Sequence, residues 1–351
     1  MPPIQLERDP LAAGAGAAAR TVPRDHAFDL VKGVLVAMMV VYHTLNVVAV
    51  ASEEVYGYVR FVSGSFIYVT GLLIARHVSA GFDADALAAT RKLVLRGVKL
   101  IALFTLLNLA IQAAGLGSAA RRQVGVSGFL AQADRVFLLG DARFASFVIL
   151  LPIGYLLMAA PLFLRAAGPR RPVASAAVLA TALAIGGLAP WGHVGSAVIE
   201  FMVVGIVGMC VGALTRDRPL DRPEGGPACA LGLAAAIVLT ASVYFNLALY
   251  AIGVALVIHF LYGCVRRLDA RLGVTRMLLL LGRYSLFAYI AQLVLIRLLA
   301  WALGSPQWTL GGELALFCVT TLGLLVATCA ALAWARERFA TVDRSYRWVF
   351  A

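Results

Sequence analysis

The chain has 351 residues, 62% of them hydrophobic and only 14% charged. Soluble domains carry roughly 25% charged residues, so this one is depleted almost by half. Apolar runs of about 20 residues recur along most of its length, which excludes a soluble enzyme, a disulfide scaffold and a disordered chain. The net charge of +12 does not point to nucleic acid, because the basic residues cluster in short segments between apolar runs. That is how membrane topology is encoded.

Residues 1–27 are rich in alanine and glycine and are expected to form a disordered cytoplasmic tail, with 28–351 as one transmembrane domain. The hydropathy predicts an all-α polytopic membrane helix bundle of about ten helices. They fall near 28–50, 57–77, 92–116, 143–164, 173–191, 194–214, 227–245, 247–265, 277–301 and 312–335. The tail, Lys32 and every second loop hold 24 of the 30 Lys/Arg, so both termini are expected to be cytoplasmic. The long outer loop, about 117–142, carries Phe129, Val136, Phe137 and Leu138 and is expected to lie partly on the membrane. Five cysteines lie in or at the ends of apolar runs, without metal-ligand spacing, and read as small hydrophobes.

Ionisable residues inside membrane helices are costly and mark functional candidates. The first helix carries Asp29, Lys32, His43 and Asn46 within an arc of about 100°, one polar seam on an apolar cylinder. Lys32 lies near the cytoplasmic rim and His43 about 16 Å further along the axis. Imidazole titrates near neutrality, which suits a general base. On the third helix Lys92, Arg96 and Lys99 follow an i, i+4, i+7 pattern, with Arg91 beside them. Lys99 sits deeper than topology requires and calls for an anionic partner such as phosphate. Ser285, Tyr289 and Gln292 form a second polar stripe, and Glu200 is the buried acid nearest His43 in depth.

The first helix also carries a pattern: Phe28-Asp29, then Lys32-Gly33, then Tyr42-His43. It resembles the opening of the membrane acyltransferase superfamily, which includes acyltransferase type 3 proteins, periplasmic glucan succinyltransferases and heparan-α-glucosaminide N-acetyltransferase. Phe61 to Gly71, the basic run at Arg91–Arg96 and Leu281-Gly282-Arg283-Tyr284-Ser285 are similar to later motifs of that group. Lysine stands at position 32 where the family has arginine, and the segment Phe144–Pro161 lacks an acid that many members carry. The resemblance implies transfer of a short acyl group, acetyl above all, from acyl-CoA to a hydroxyl or amine of a glycan or glycolipid. It implies His43 as catalytic base with Asp29 and Asn46 beside it, and Lys32, Arg91, Lys92, Arg96 and Lys99 on the donor. Glu200, Tyr289 and Gln292 would meet the acceptor, with membrane lipid around the bundle and no nucleic acid or metal involved. A bacterial inner membrane is the expected location, and oligomeric state is left open. The competing reading is a transporter or lipid-glycan flippase, whose intramembrane charges would mark a substrate path.

Overall fold

A computed structural model describes residues 25–48, 53–114, 125–141, 144–167, 174–181, 196–216, 227–242, 246–269, 271–304 and 311–350. The protein is an all-α bundle. Among the described residues seven helices are long and apolar enough to cross a membrane, and Leu150–Ala166 and Pro227–Ala241 are shorter apolar ones. The expected helix over 173–191 is described only at 174–181, which is helical. The expected tail lies outside the described residues up to 24.

The first helix, α1 (His26–Val48), is followed by α2 (Glu53–Val59), α3 (Phe61–Leu73), a π-helical turn (Ile74–Val78) and α4 (Ser79–Ala84). Next, α5 (Ala86–Ala113) starts six residues earlier than its hydropathy suggests, because the Asp85 carboxylate caps it by accepting the Ala88 N–H at 2.9 Å. The outer loop forms α6 (Gly125–Ala131) and a π turn (Arg135–Leu139). Phe129 and Val136 are wholly buried in the bundle and Phe137 packs on Phe104, so of the four named apolar residues only Leu138 faces outward. This part of the loop packs on the protein through Phe129, Val136 and Phe137 and leaves Leu130, Leu138 and Leu139 exposed.

The fourth expected helix begins at Leu150 (α7, Leu150–Ala167), not 143. Pro152 fits a first helical turn, where no N–H is required, and fits poorly in an interior. Then come α8 (Ala197–Leu214), α9 (Pro227–Ser242) and α10 (Leu247–Val265). The span expected over 277–301 is two helices, α11 (Gly273–Arg283) and α12 (Ser285–Ala302), joined at Tyr284. After α13 (Gly312–Arg338) a further helix, α14 (Ala340–Phe350), occupies what the sequence presents as a basic tail.

Close crossings hold the bundle together. A Cβ on Gly33 would stand 2.0 Å from the Leu278 carbonyl oxygen, and one on Gly282 would stand 1.7 Å from that of Asp29. Backbone therefore meets backbone where α1 crosses α11. The α3–α8 pair is built similarly, with Gly208 against the Tyr68 carbonyl and Gly71 against that of Gly205. Gly97 and Gly154 bring α5 and α7 together in the same way, and Val36, Val40, Leu281 and Leu325 form one buried apolar cluster beside the first crossing.

Gly282→Ala forces two helix backbones apart, and overpacking of this kind typically costs about 1–3 kcal/mol or more. Gly323, on α13, has nothing within 4 Å of its Cβ position. The Gly282→Ala protein should melt clearly below wild type in detergent, and Gly323→Ala at or slightly above it. Equal melting temperatures for the two variants would refute the contact.

Candidate active site

A cavity of about 600 Å³ runs inside one half of the bundle. Its charged end is formed by Asp29 and Lys32 of α1, Arg96 and Lys99 of α5, and Arg283 at the end of α11. Its walls are apolar, with Phe66, Leu100, Ile153 and Leu157 among them, and its far end reaches Met39 and Tyr289. Asp25 and His77, two residues the sequence reading passed over, also line the charged end, His77 from the π-helical turn after α3.

Asp29 and Lys32 form an ion pair with Lys32 Nζ 2.7 Å from Asp29 Oδ1. The pair is one turn of α1, so the seam read from sequence is real at its inner end. His43 does not line the cavity, and Met39, one turn before it, is the last α1 residue in the wall. Tyr289 bridges the gap: it lines the cavity, and its ring centroid lies 5.9 Å from that of His43. The Tyr42 ring packs edge-on against the imidazole at 5.2 Å. Asn46 donates from Nδ2 to the Tyr42 carbonyl at 2.9 Å, bracing the turn that carries His43.

Of the expected cation row only Arg96 and Lys99 reach the cavity. Arg91 and Lys92 are exposed and do not line it, although their neighbour Leu93 does. Lys99 already has a partner: its Nζ donates to the Trp348 carbonyl at 2.6 Å and stands 5.6 Å from the centre of the Trp348 ring. Gln292 is wholly buried between Ala288 and Ile296 on α12, and neither of its amide atoms has a hydrogen-bond partner among the described residues. Glu200 is buried in the first turn of α8, which packs on α3 and α7, and it is not part of the cavity wall. Among the described residues no group of three His, Cys, Asp or Glu is arranged to hold a metal.

Beyond Tyr289 the structure holds an arrangement that sequence spacing does not reveal. Asn108 of α5 accepts the Ser146 N–H at 2.6 Å and donates to the Ser146 carbonyl at 2.9 Å. Arg297 of α12 donates to the Ser146 hydroxyl. The next residue, Phe147, has φ +58°, a left-handed conformation that costs a non-glycine residue about 1–2 kcal/mol. Its buried ring packs on Tyr289 at 6.1 Å. His43, Tyr289 and Phe147 thus form a continuous aromatic partition above the cavity.

Helix α14 closes the other end. Tyr346, Val349 and Phe350 line the cavity. Arg336 donates from Nε and Nη2 to Asp343 Oδ1 at 2.9 and 2.7 Å, and Arg347 donates to the other carboxylate oxygen. These bonds, that of Arg336 foremost, hold the Asp343 carboxyl below its usual range. An undocked helix would bind a proton more readily, so docking is fully supported above about pH 4 and weakens as pH falls through the lowered value. Asp343→Asn should raise hydrogen–deuterium exchange over 340–350 at pH 7, and wild type should approach that level only in acid. Identical exchange at pH 7 would show that the ion pair does not hold the helix.

The fold is that of a polytopic α-helical membrane protein, with the half-buried His43 beyond the far end of a cation-rimmed cavity. Comparison with known families agrees: the model for the acyltransferase domain matches residues 25–334. The chain belongs to this membrane acyltransferase family. No curated protein and no solved structure matches it.

Proposed function

We propose that this acyltransferase takes a short acyl group, most simply acetyl, from cytoplasmic acyl-CoA to a hydroxyl or amine of an extracytoplasmic glycan or glycolipid. One observation carries the reading: the cavity has cations at one end and, at the other, a tyrosine packed on His43. The donor phosphates meet Arg96, Lys99 and Lys32, and the pantetheine arm follows the apolar wall with the thioester at Tyr289. The roughly 16 Å between Lys32 and His43 is within reach of that extended arm.

His43 takes the proton from the acceptor O–H or N–H as the acceptor atom attacks the thioester carbonyl. The carbon–sulfur bond then breaks, and the CoA sulfur leaves with the proton held by the imidazolium. Tyr289 is the group that touches both cavity and histidine, and its hydroxyl serves the developing oxyanion. Asp29 keeps Lys32 in place as a charge. The acceptor approaches from the far side of the aromatic partition, where Gln292, one turn along α12 from Tyr289, is a buried polar group. The basic end is the cytoplasmic one by the distribution of Lys and Arg, and the host membrane is the bacterial inner membrane.

His43→Ala should lower acyl transfer by about 10²–10⁴ while leaving expression and melting temperature unchanged. Wild-type turnover in this variant would sink the base assignment. Lys32→Arg keeps the charge beside Asp29 and should be nearly neutral, whereas Lys32→Met leaves a buried carboxylate without its counter-ion and should be severe. In sealed, oriented vesicles product should form only with acetyl-CoA on the basic side and sugar on the other. Efficient transfer with both on the basic side defeats the sided model.

A further inference from the structure

We infer that α14 is a selectivity gate on the donor path, displaced by the phosphates of a nucleotide-bearing donor and closed to donors that lack them. The inference rests on the donor reading above. Three observations carry it. Tyr346, Val349 and Phe350 form part of the cavity wall at its charged end, so the helix stands where a donor would enter. Lys99, a cation of that entrance, is engaged by the Trp348 carbonyl at 2.6 Å. The helix is otherwise held by contacts that can be undone singly. Tyr346 lies between Arg336, 4.0 Å from its ring centre, and Phe350, stacked at 4.9 Å; Phe350 also meets Phe287 of α12 at 6.0 Å, and Asp343 bonds Arg336.

The chemistry of the competition sets the selectivity. The Lys99–Trp348 bond is charged on the donor side only, because a carbonyl is neutral; a phosphate oxygen adds a full opposite charge and with it an ion-pair attraction. A phosphate therefore takes Lys99 from Trp348, and Arg96 in the same wall adds to its advantage. Removing that bond frees the end of α14 nearest the cavity, and the aromatic side chains leave with it. An acyl-pantetheine offers amides and a hydroxyl but no anion. It has nothing with which to displace the carbonyl, and the entrance stays shut.

Trp348 joins the closure through its carbonyl and ring at Lys99, whereas Arg344 lies on the exposed face of α14. The helix also differs from a passive wall in what its loosening should do. A wall that binds the nucleotide would lose acetyl-CoA when weakened. A gate would gain the smaller donor.

The test compares acetyl-CoA with S-acetyl-pantetheine on the full chain in lipid nanodiscs, in wild type, Phe287→Ala and Asp343→Ala. Neither substituted residue lines the cavity: Phe287 meets α14 from α12, and Asp343 belongs to α14 and ties it to Arg336 of α13. Both variants should raise kcat/KM for S-acetyl-pantetheine about tenfold and leave acetyl-CoA within about threefold of wild type. Phe287→Leu, which keeps an apolar contact, should lie between. An unchanged ratio of the two donors in variants that melt like wild type overturns the gate. So does a ratio that narrows only because acetyl-CoA turnover falls, which would make α14 a nucleotide-binding wall. Wild type that turns over neither donor defeats the donor reading itself, and the gate with it; this result is distinct from the other two.

Discussion

The crossing of α1 and α11 at Gly33 and Gly282 is the constraint on which the rest of the site depends. Each glycine faces a carbonyl of the other helix at a distance no Cβ could share. The contact fixes α1 beside the junction at Tyr284, from which α12 departs. Alongside α1, Ala288 clusters with Val36 and Val40, and Ile296 and Ala300 cluster with Leu45 and Val48. Those two clusters bracket the depth at which Tyr289 meets His43. The same crossing brings Arg283 to the cavity end that holds Asp29 and Lys32. A glycine motif that reads as a family signature is thus a packing requirement, and the geometry of the candidate site follows from it.

The charged end obeys a second constraint, the cost of holding ions away from water. Lys32 is about one-fifth exposed and Asp29 less than one-tenth, so neither is freely solvated. Pairing lowers that cost without abolishing the positive field, because Arg96, Lys99 and Arg283 stand nearby and no other acid among the described residues but Asp25 lines the cavity. Asp25 in turn accepts the Tyr262 hydroxyl at 2.8 Å. The result is an entrance with a cationic surplus in an apolar frame, where an anion gains more than it would in water.

Much of this was legible in the sequence. The polar seam of α1 follows from helical periodicity alone, and Asp29, Lys32 and His43 share a face because their spacing demands it. Burial of a polar residue within an apolar run is legible too, as for Glu200. Azimuth between helices is not, and this is why Glu200, expected beside His43, sits on a helix packed against α3 and α7. For the same reason Arg91, Lys92, Arg96 and Lys99 could not be divided in advance. Positive-inside placement and ligand binding favour the same residues, and only the position of the cavity wall separates them. Helix α14 was hidden behind its arginines, although Val342, Tyr346, Val349 and Phe350 already carried an amphipathic period. The Ser146–Phe147 arrangement had no local signal at all, since its hydrogen bonds come from helices α5 and α12, 38 and 151 residues away.

That arrangement bears on how two substrates can be kept apart. The cavity ends one turn short of His43, and the partition above it is aromatic and closely packed. Nothing in a Phe or Tyr ring would resist thermal motion strongly by itself. Phe147, however, is anchored through its neighbour by Asn108 at both backbone groups and by Arg297 at the hydroxyl. Such anchoring holds a strained φ that an unsupported loop would relax. The strain therefore lies in the one element that stands behind Tyr289, and its effect is to keep that ring pressed between cavity and histidine. The cavity thus ends on a phenol held in place, with the His43 imidazole on its other side. In the proposed reaction a thioester from the basic end would stop at that phenol and the proposed gate at α14 would select what enters: a fixed end defines where chemistry occurs, and a displaceable one what is admitted.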